Sequence, residues 1–340
     1  MRTFTEEQNM FRDAYRKFLE AEIVPNMEKW QEQGIVDREA FKKAGDQGFL
    51  MIWPDERYGG LGDSDFRFEQ IIMEETHRVG CASWLNTLHS RLVGSYFEHI
   101  GNDEQKQRFL PGCIKGEKIL AIAMTEPDAG SDLAGMRTTL REDEDHFILN
   151  GSKTYISNGI NADYVVVAGK SDPENNPHAM TLCVVERGME GFERGRNLDK
   201  MGMKAQDTAE LFFNNVIIPK ENVLGEVGRG FFYLMQGLAE ERLIAAVGSI
   251  ASARRAFNLT REFVMERKVF GKPLSYMQNT QFKMAEMDTE IEIVEVFIDH
   301  LVAEHNEDRL TANMAAKAKL QSTEIEWKML DLGVQLHGCP

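Results

Sequence analysis

The chain has 340 residues, 42% of them hydrophobic and 28% charged, with a formal net charge of −16. That length holds two or three domains or one large composite core, and the composition is ordinary for a globular protein. The acidic balance argues against a general nucleic-acid binder, whose phosphate contacts need a basic face, and leaves open a local basic pocket for a phosphorylated ligand.

Residues 1–120 read as helical. Met1-Arg2-Thr3 runs straight into a polar helical segment, with no signal-peptide core and no transit peptide. The expected location is the cytoplasm or an equivalent reducing compartment, or the mitochondrial matrix in a eukaryote. Thr5 and Gln8 have the spacing of a capping box, Pro25 follows the first periodic segment, and Asp37 is placed to cap a second helix through Phe41 and Ala44. Pro54 to Asp65, with Gly59, Gly60 and Gly62, reads as a loop. Helical patterning resumes at Phe66, runs through Ile71-Ile72-Met73 and continues to about Leu110.

The texture changes near Leu120. Strand-like runs follow at Ile119–Met124, His146–Leu149, Tyr164–Ala168, Met180–Val185 and Leu211–Ile218. Asn150-Gly151 and Asn158-Gly159 predict short turns, and the charged Arg141–Asp145 segment predicts a solvated hairpin tip. Helix signals return from Gly228. Phe231–Val264 is long and proline-free, Pro273 breaks the pattern, a second helix spans about Thr280–Glu304, and a third begins near Thr311. The apolar run Leu243–Ala253 is too short for a bilayer span, which takes roughly 20 residues, so no membrane span is expected. The order is helices, then strands, then helices.

The four cysteines, Cys81, Cys113, Cys183 and Cys339, are far apart and lack C-x-x-C spacing. The eight histidines show no H-E-x-x-H pattern. Neither a disulfide framework nor a metal site is expected.

Three segments could carry chemistry. Thr125–Asp132 leaves a strand through Ala129, Gly130 and Ser131, small residues that let a backbone approach a ligand. Alone, it reads equally well as an ordinary turn. Tyr155, in the second segment, offers an aromatic face, although an isolated tyrosine on a strand is more often a packing residue. On the long C-terminal helix, Glu241 has Leu234, Gly237, Leu238, Ile244, Ala245 and Gly248 at helical neighbour positions. A carboxylate on such an apolar face is expected to be buried, with its pKa raised. Helix position alone favours pairing with a nearby Arg or Lys. Glu240, four residues after Gln236, is expected to be the more solvated of the two.

Ala123-Met124-Thr125-Glu126-Pro127-Asp128-Ala129-Gly130-Ser131-Asp132, followed by Gly151-Ser152-Lys153-Thr154-Tyr155-Ile156-Ser157-Asn158-Gly159, resembles the flavin-binding wall of the acyl-CoA dehydrogenase family. Asp128 stands where glycine is common in that family. The resemblance implies FAD as cofactor, with Ile122 and Met124 contributing main chain, Thr125 and Ser131 contacting flavin or ligand, and Tyr155, Ile156 and Ser157 lying along the ring. Glu241-Arg242-Leu243 is similar to the isovaleryl-CoA and long-chain acyl-CoA enzymes, which carry the catalytic base on this helix immediately before Arg-Leu. By that similarity Glu241 is the base, and Ser131, Leu238 and Arg242 border the substrate. Arg267-Lys268-Val269-Phe270-Gly271-Lys272, Met277-Gln278 and Gln335-Leu336-His337-Gly338 resemble further signatures. There Arg267, Phe270, Gln278, Gln335 and Gly338 would contact the flavin nucleotide of a neighbouring subunit, which implies a homo-oligomer, a dimer or tetramer.

The implied fold is α+β and mainly α. It has three domains: an N-terminal helical domain (1–120), a middle β-barrel or sandwich domain (121–228) and a C-terminal helical bundle (229–340). The implied reaction is α,β-dehydrogenation of an acyl-CoA thioester, in fatty-acid oxidation, with electrons passed to an electron-transfer flavoprotein and a lean toward long or branched acyl groups. An acyl-CoA oxidase-like enzyme using oxygen, and a catalytically silent or nucleic-acid-associated homologue, are the alternatives. The family continues past Gln-Leu-His-Gly with a second glycine, a glycine-aromatic pair and a final helix, whereas here Cys339 replaces that glycine and Pro340 is last. The expectation is therefore a shortened chain with exposed apolar surface. It would lack a backbone donor to the thioester carbonyl, of a kind that contributes about 2.7–4 kcal/mol in oxyanion holes.

Overall fold

The computed structural model of the protein describes residues 4–172, 174, 176 and 178–338, so Cys339 and Pro340 lie outside the described residues. Its elements in chain order are α1 (Glu6–Phe18), α2 (Met27–Gln33), α3 (Arg38–Asp46), α4 (Arg67–Arg78), α5 (Gly94–Ile100) and α6 (Asp103–Ile114). The strands β1 (Leu120–Ala123), β2 (Thr139–Asp143), β3 (His146–Ser157), β4 (Tyr164–Lys170), β5 (Met180–Glu186), β6 (Phe192–Asn197), β7 (Thr208–Pro219) and β8 (Val223–Leu224) follow. The chain continues through α7 (Gly230–Glu266), the short strands β9 (Lys268–Val269) and β10 (Lys272–Pro273), α8 (Gln278–Asn306) and α9 (Ala312–His337).

Local chemistry sets several boundaries. Thr5 and Gln8 form the expected reciprocal capping box, each side chain accepting from the other's backbone N–H at 3.1 Å. Asp37 does sit at the N-cap of α3, but its carboxylate accepts from Lys29 Nζ at 2.6 Å and Gln33 Nε2 at 2.9 Å and makes no side-chain cap bond. The helix expected to run from Phe66 to Leu110 is broken. α4 ends at Arg78, Gly80 takes a left-handed φ of +77°, a π-helical turn spans Leu88–Val93, and α5 stops at Gly101. Asn158-Gly159 is a turn as expected, and Glu144-Asp145 closes the exposed β2–β3 hairpin.

Asn150-Gly151 is not a turn; it lies inside β3. There the β3–β7 register shifts, so that Asn214 and Asn215 of β7 face Asn150 alone. Asn150 ties the bulge with two hydrogen bonds to Asn215, 2.9 and 3.1 Å long. Asn215 takes the left-handed φ of +51° that asparagine tolerates better than most residues.

The chain divides into two compact units, with the division inside α7 between Gly237 and Leu238. Residues 20–64 and 82–237 form the sheet-containing unit. Its eight strands run in the order β6-β7-β3-β2-β4-β5-β8, with β1 parallel to β4. The middles of β4 (Val165–Gly169) and β5 (Leu182–Val185) are apolar because both sheet faces are covered. Val166, Ala168, Leu182 and Val184 face a core with Phe97, Phe109 and Leu110 of α5 and α6. Val165, Val167, Cys183 and Val185 face a second core with Phe147, Leu149, Leu211 and Phe213. This two-sided burial explains the unbroken apolar runs.

The second unit holds residues 1–19, 65–81 and 238–340. α8 buries Met287, Ile291, Val294, Ile298 and Leu301, and α9 buries Ala315, Ala318, Ile325 and Met329, the spacing of one helix face. Their other faces leave Phe282, Ile293, Val296, Trp327 and Val334 exposed. Among the described residues no helix is long and apolar enough to cross a membrane, and no cluster of His, Cys, Asp or Glu could hold a metal ion. Cys81, Cys113 and Cys183 are buried free thiols.

Candidate active site

In the sheet unit, β1 delivers the chain into the Thr125–Asp132 loop. Ile122 and Met124 are half-buried against the helical core. The loop doubles back at once: Glu126 N–H donates to Ala129 O at 2.9 Å and Ala129 N–H to Glu126 O at 3.2 Å. Thr154 N–H donates to Thr125 O at 2.9 Å, so the two segments singled out in the sequence are joined directly.

A buried ion pair reinforces that joint. Lys153 Nζ donates to Glu126 Oε1 at 2.8 Å and to Met124 O at 3.0 Å, and the two side chains are 0% and 5% exposed. Glu126 also accepts from the backbone N–H groups of Arg137 at 2.6 Å and Thr138 at 3.0 Å. Burial works to raise the Glu126 carboxyl, but the Lys153 ammonium and these N–H donors together leave it below its usual range. Burial lowers the Lys153 amine, against the pull of Glu126. Neither residue stands out from its local sequence as a site residue. The available signal was a lysine and a glutamate set among buried neighbours in two segments already under suspicion.

Beyond Lys153 the β3–β7 register shifts again, with Thr154 and Tyr155 facing Glu210 alone. Tyr155 takes a left-handed φ of +60° and is 69% exposed, while Ile156 returns to the core at 3%. A bulky residue at positive φ is costly and is commonly held at functional sites. Ser131 is exposed, and Thr125 and Ser157 are half-buried. Among the described residues, the hydroxyls of Thr125, Ser131, Ser157 and Tyr155 take no protein hydrogen-bond partner, and the Tyr155 ring makes no aromatic or cation–π contact. A wall of unused hydroxyls beside an outward aromatic face suits a planar, polar-edged ring system.

In the other unit, α7 carries Leu238, Glu241 and Arg242, all half-buried. The expected order of the two glutamates is reversed: Glu240 is the buried one, at 9% exposure, because His305 of α8 reaches it, with Nε2 2.8 Å from Glu240 Oε2. Glu241 keeps partial access. After α7, Arg267 accepts from Leu274 N–H at 2.7 Å and closes the β9–β10 hairpin. Phe270 stands at the hairpin tip with φ +51° and 98% exposure. Gln278 opens α8, and Gln335 and Gly338 sit at the exposed end of α9. The ring of His337 stacks on Phe263 at 4.2 Å, which brings the end of α9 to the end of α7, four residues before Arg267.

Three family models cover the chain: the acyl-CoA dehydrogenase N-terminal domain at residues 5–117, the middle domain at 121–216 and the C-terminal domain at 228–339. The chain belongs to the acyl-CoA dehydrogenase family. It is similar to the long-chain specific acyl-CoA dehydrogenase of Sus scrofa, with 42% identity over 99% of this chain and 79% of the relative. It is also similar to the crystal structure of an acyl-CoA dehydrogenase from Geobacillus kaustophilus, with a TM-score of 0.96, 46% identity and coverage of 99% of this chain and 89% of that one. A Bacillus anthracis acyl-CoA dehydrogenase complexed with FAD matches with a TM-score of 0.88 and 29% identity, over 98% of this chain and 62% of that one. This family member is thus an oxidoreductase, its reaction class is acyl-CoA dehydrogenation, and its α+β, mainly helical fold is the family's.

Proposed function

We propose that the chain is an FAD-dependent dehydrogenase that converts an acyl-CoA thioester to its trans-2-enoyl form, with Glu241 as the base. The observation that carries the cofactor assignment is the wall of partnerless hydroxyls at Thr125, Ser131 and Ser157 beside the outward-held Tyr155. These residues, with Ile156 and the main chain of Ile122 and Met124, would hold FAD, which when bound accepts a hydride from the β-carbon. Glu241 receives the α-proton, so two C–H bonds are lost and one C=C bond forms. Glu241 follows Glu240, whose carboxylate His305 engages, and stays half-buried on α7. Leu238 and Arg242 on the same stretch of α7, and Ser131, border the substrate in this reading. Residues 1–120, 121–228 and 229–340 act as three domains, in line with the spans of the three family models.

The protruding Phe270, with Arg267, Gln278, Gln335 and Gly338, is read as reaching a neighbouring subunit's cofactor. The apolar faces of α8 and α9 favour such self-association. Electron-transfer flavoprotein is the proposed electron acceptor, and long or branched acyl-CoA the proposed substrate. The test is anaerobic addition of butyryl-, isovaleryl-, octanoyl- and palmitoyl-CoA to the purified flavoprotein, following oxidised-flavin absorbance. Bleaching by at least one thioester is expected, and its loss in Glu241→Gln at full FAD content supports the base. Bleaching in Glu241→Gln at the parent rate removes that assignment. Rapid reoxidation in air would favour an oxidase over a flavoprotein acceptor.

A further inference from the structure

The turn of α7 that carries Glu241 is fastened from the side by a run of polar contacts inside one unit. His305, one residue from the end of α8, donates from Nε2 to Glu240 Oε2 at 2.8 Å. The two side chains are 15% and 11% exposed, so solvent screens the contact little. The Phe66 ring lies 4.7 Å from the imidazole. The next residue, Asn306, accepts from Phe66 N–H at 2.9 Å and donates to Asp65 Oδ1 at 2.5 Å. The other oxygen of Asp65 accepts from Gln8 Nε2 at 2.8 Å. α1 and the lead into α4 thus hold the end of α8, and the end of α8 holds Glu240.

We infer that Glu240 and His305 are positioning residues for Glu241, a role that rests on Glu241 being the base. Neighbouring residues on an α-helix lie about 100° apart around its axis, so pinning the Glu240 carboxylate fixes the direction in which Glu241 projects. Side-chain ends sit roughly 5–6 Å from the axis, so a rotation of about 10° moves them by about 1 Å. A misplacement of that size at a reacting group costs on the order of 10²-fold in rate. A charged, buried hydrogen bond is short and directional, which suits it to resist such rotation.

The experiment uses the full FAD-loaded chain and the thioester that bleaches it fastest. Single-turnover bleaching at saturation is compared with the acyl-CoA Kd, read from the flavin spectral shift. His305→Phe, which removes the donor, is expected to slow bleaching about 10- to 100-fold while Kd and FAD content stay within twofold. His305→Gln, whose amide can donate to Glu240, is expected to recover most of the rate. Wild-type bleaching in His305→Phe, equal loss in both variants, or a slowing matched by loss of FAD would each overturn the inference. Glu241→Gln in the same series separates the two readings. If it bleaches at the wild-type rate, the base assignment itself fails; if it is inactive while His305→Phe is normal, only the positioning role fails.

Discussion

Lys153→Met tests whether the ion pair with Glu126 builds the cofactor wall. The methionine fills most of the lysine's volume but leaves Glu126 buried, with the backbone N–H groups of Arg137 and Thr138 as its remaining donors here. Removing one partner of a buried pair typically costs about 3–5 kcal/mol, because the other charge stays uncompensated. For a unit of 150–250 residues each kcal/mol lowers Tm by about 2–4 °C, so a fall of roughly 6–20 °C is expected. Adding Glu126→Gln removes the stranded charge, and the double variant should regain about half of the loss. Urea unfolding gives the free energies, and the bound-flavin fraction of each variant reports the wall, because Thr125 O and Thr154 N–H meet one residue from this pair on either segment. Strictly additive single and double variants, or a Lys153→Met protein with wild-type stability and full FAD, would refute the reasoning.

Three further outcomes are expected. Glu75 is set against Arg12, Arg16 and Arg78; burial works to raise its pKa, but these partners bring it down to about 2. A depressed carboxylate stabilises above its unfolded pKa, so its contribution, about 3 kcal/mol at most, should be lost as pH falls from about 4.5 to 2. Urea titrations of Glu75→Gln should lack that part of the pH slope, and identical slopes would argue against it. His89 accepts from Leu120 N–H on Nδ1 at 3.0 Å and donates from Nε2 to Cys113 O at 3.1 Å, and burial holds its pKa down to about 4. Imidazole NMR should show the Nε2–H tautomer with a midpoint near 4, and the sheet unit should lose stability as pH falls from 6.5 toward 4. Gly151 has φ +147°, and a Cβ there would meet Thr138 Oγ1 and, at 2.7 Å, Thr138 Cα. Gly151→Ala should therefore cost on the order of 2 kcal/mol in thermal or urea unfolding; an unchanged Tm would show that the backbone yields there.

Much of the architecture was legible because its signals are local. Thr5 and Gln8 mark the start of α1, and β4 and β5 announce two-sided burial by their unbroken apolar runs. What escaped depends on partners distant in sequence. Asn150-Gly151 carries a turn's dipeptide, yet β7 supplies the extra residue that makes it a bulge. Asp37 has the sequence position of a helix cap, yet Lys29 and Gln33 take its carboxylate. Glu240 and Glu241 were ranked by neighbours on their own helix, whereas His305, 65 residues away, decides which is buried. The cofactor segments were found as motifs, but Lys153 and Glu126, which join them, were not, because nothing local says that two charges 27 residues apart will meet.

The extra residue at Thr154–Tyr155 makes the orientation of β3 a matter of counting. Before it, Phe147, Leu149 and Lys153 point inward; after it, Ile156 does. In a strand of uniform alternation Tyr155 would share the inward face with Lys153, and Ile156 would face out. Substitutions at Thr154 change a side chain and keep this arrangement. Deletion of Thr154 would keep it too, because plain alternation then leaves Lys153 inward, Tyr155 outward and Ile156 inward; what would go is the bulge. The extra residue is therefore not what keeps the faces of β3 in order; what it adds is a local kink, with the left-handed backbone at Tyr155.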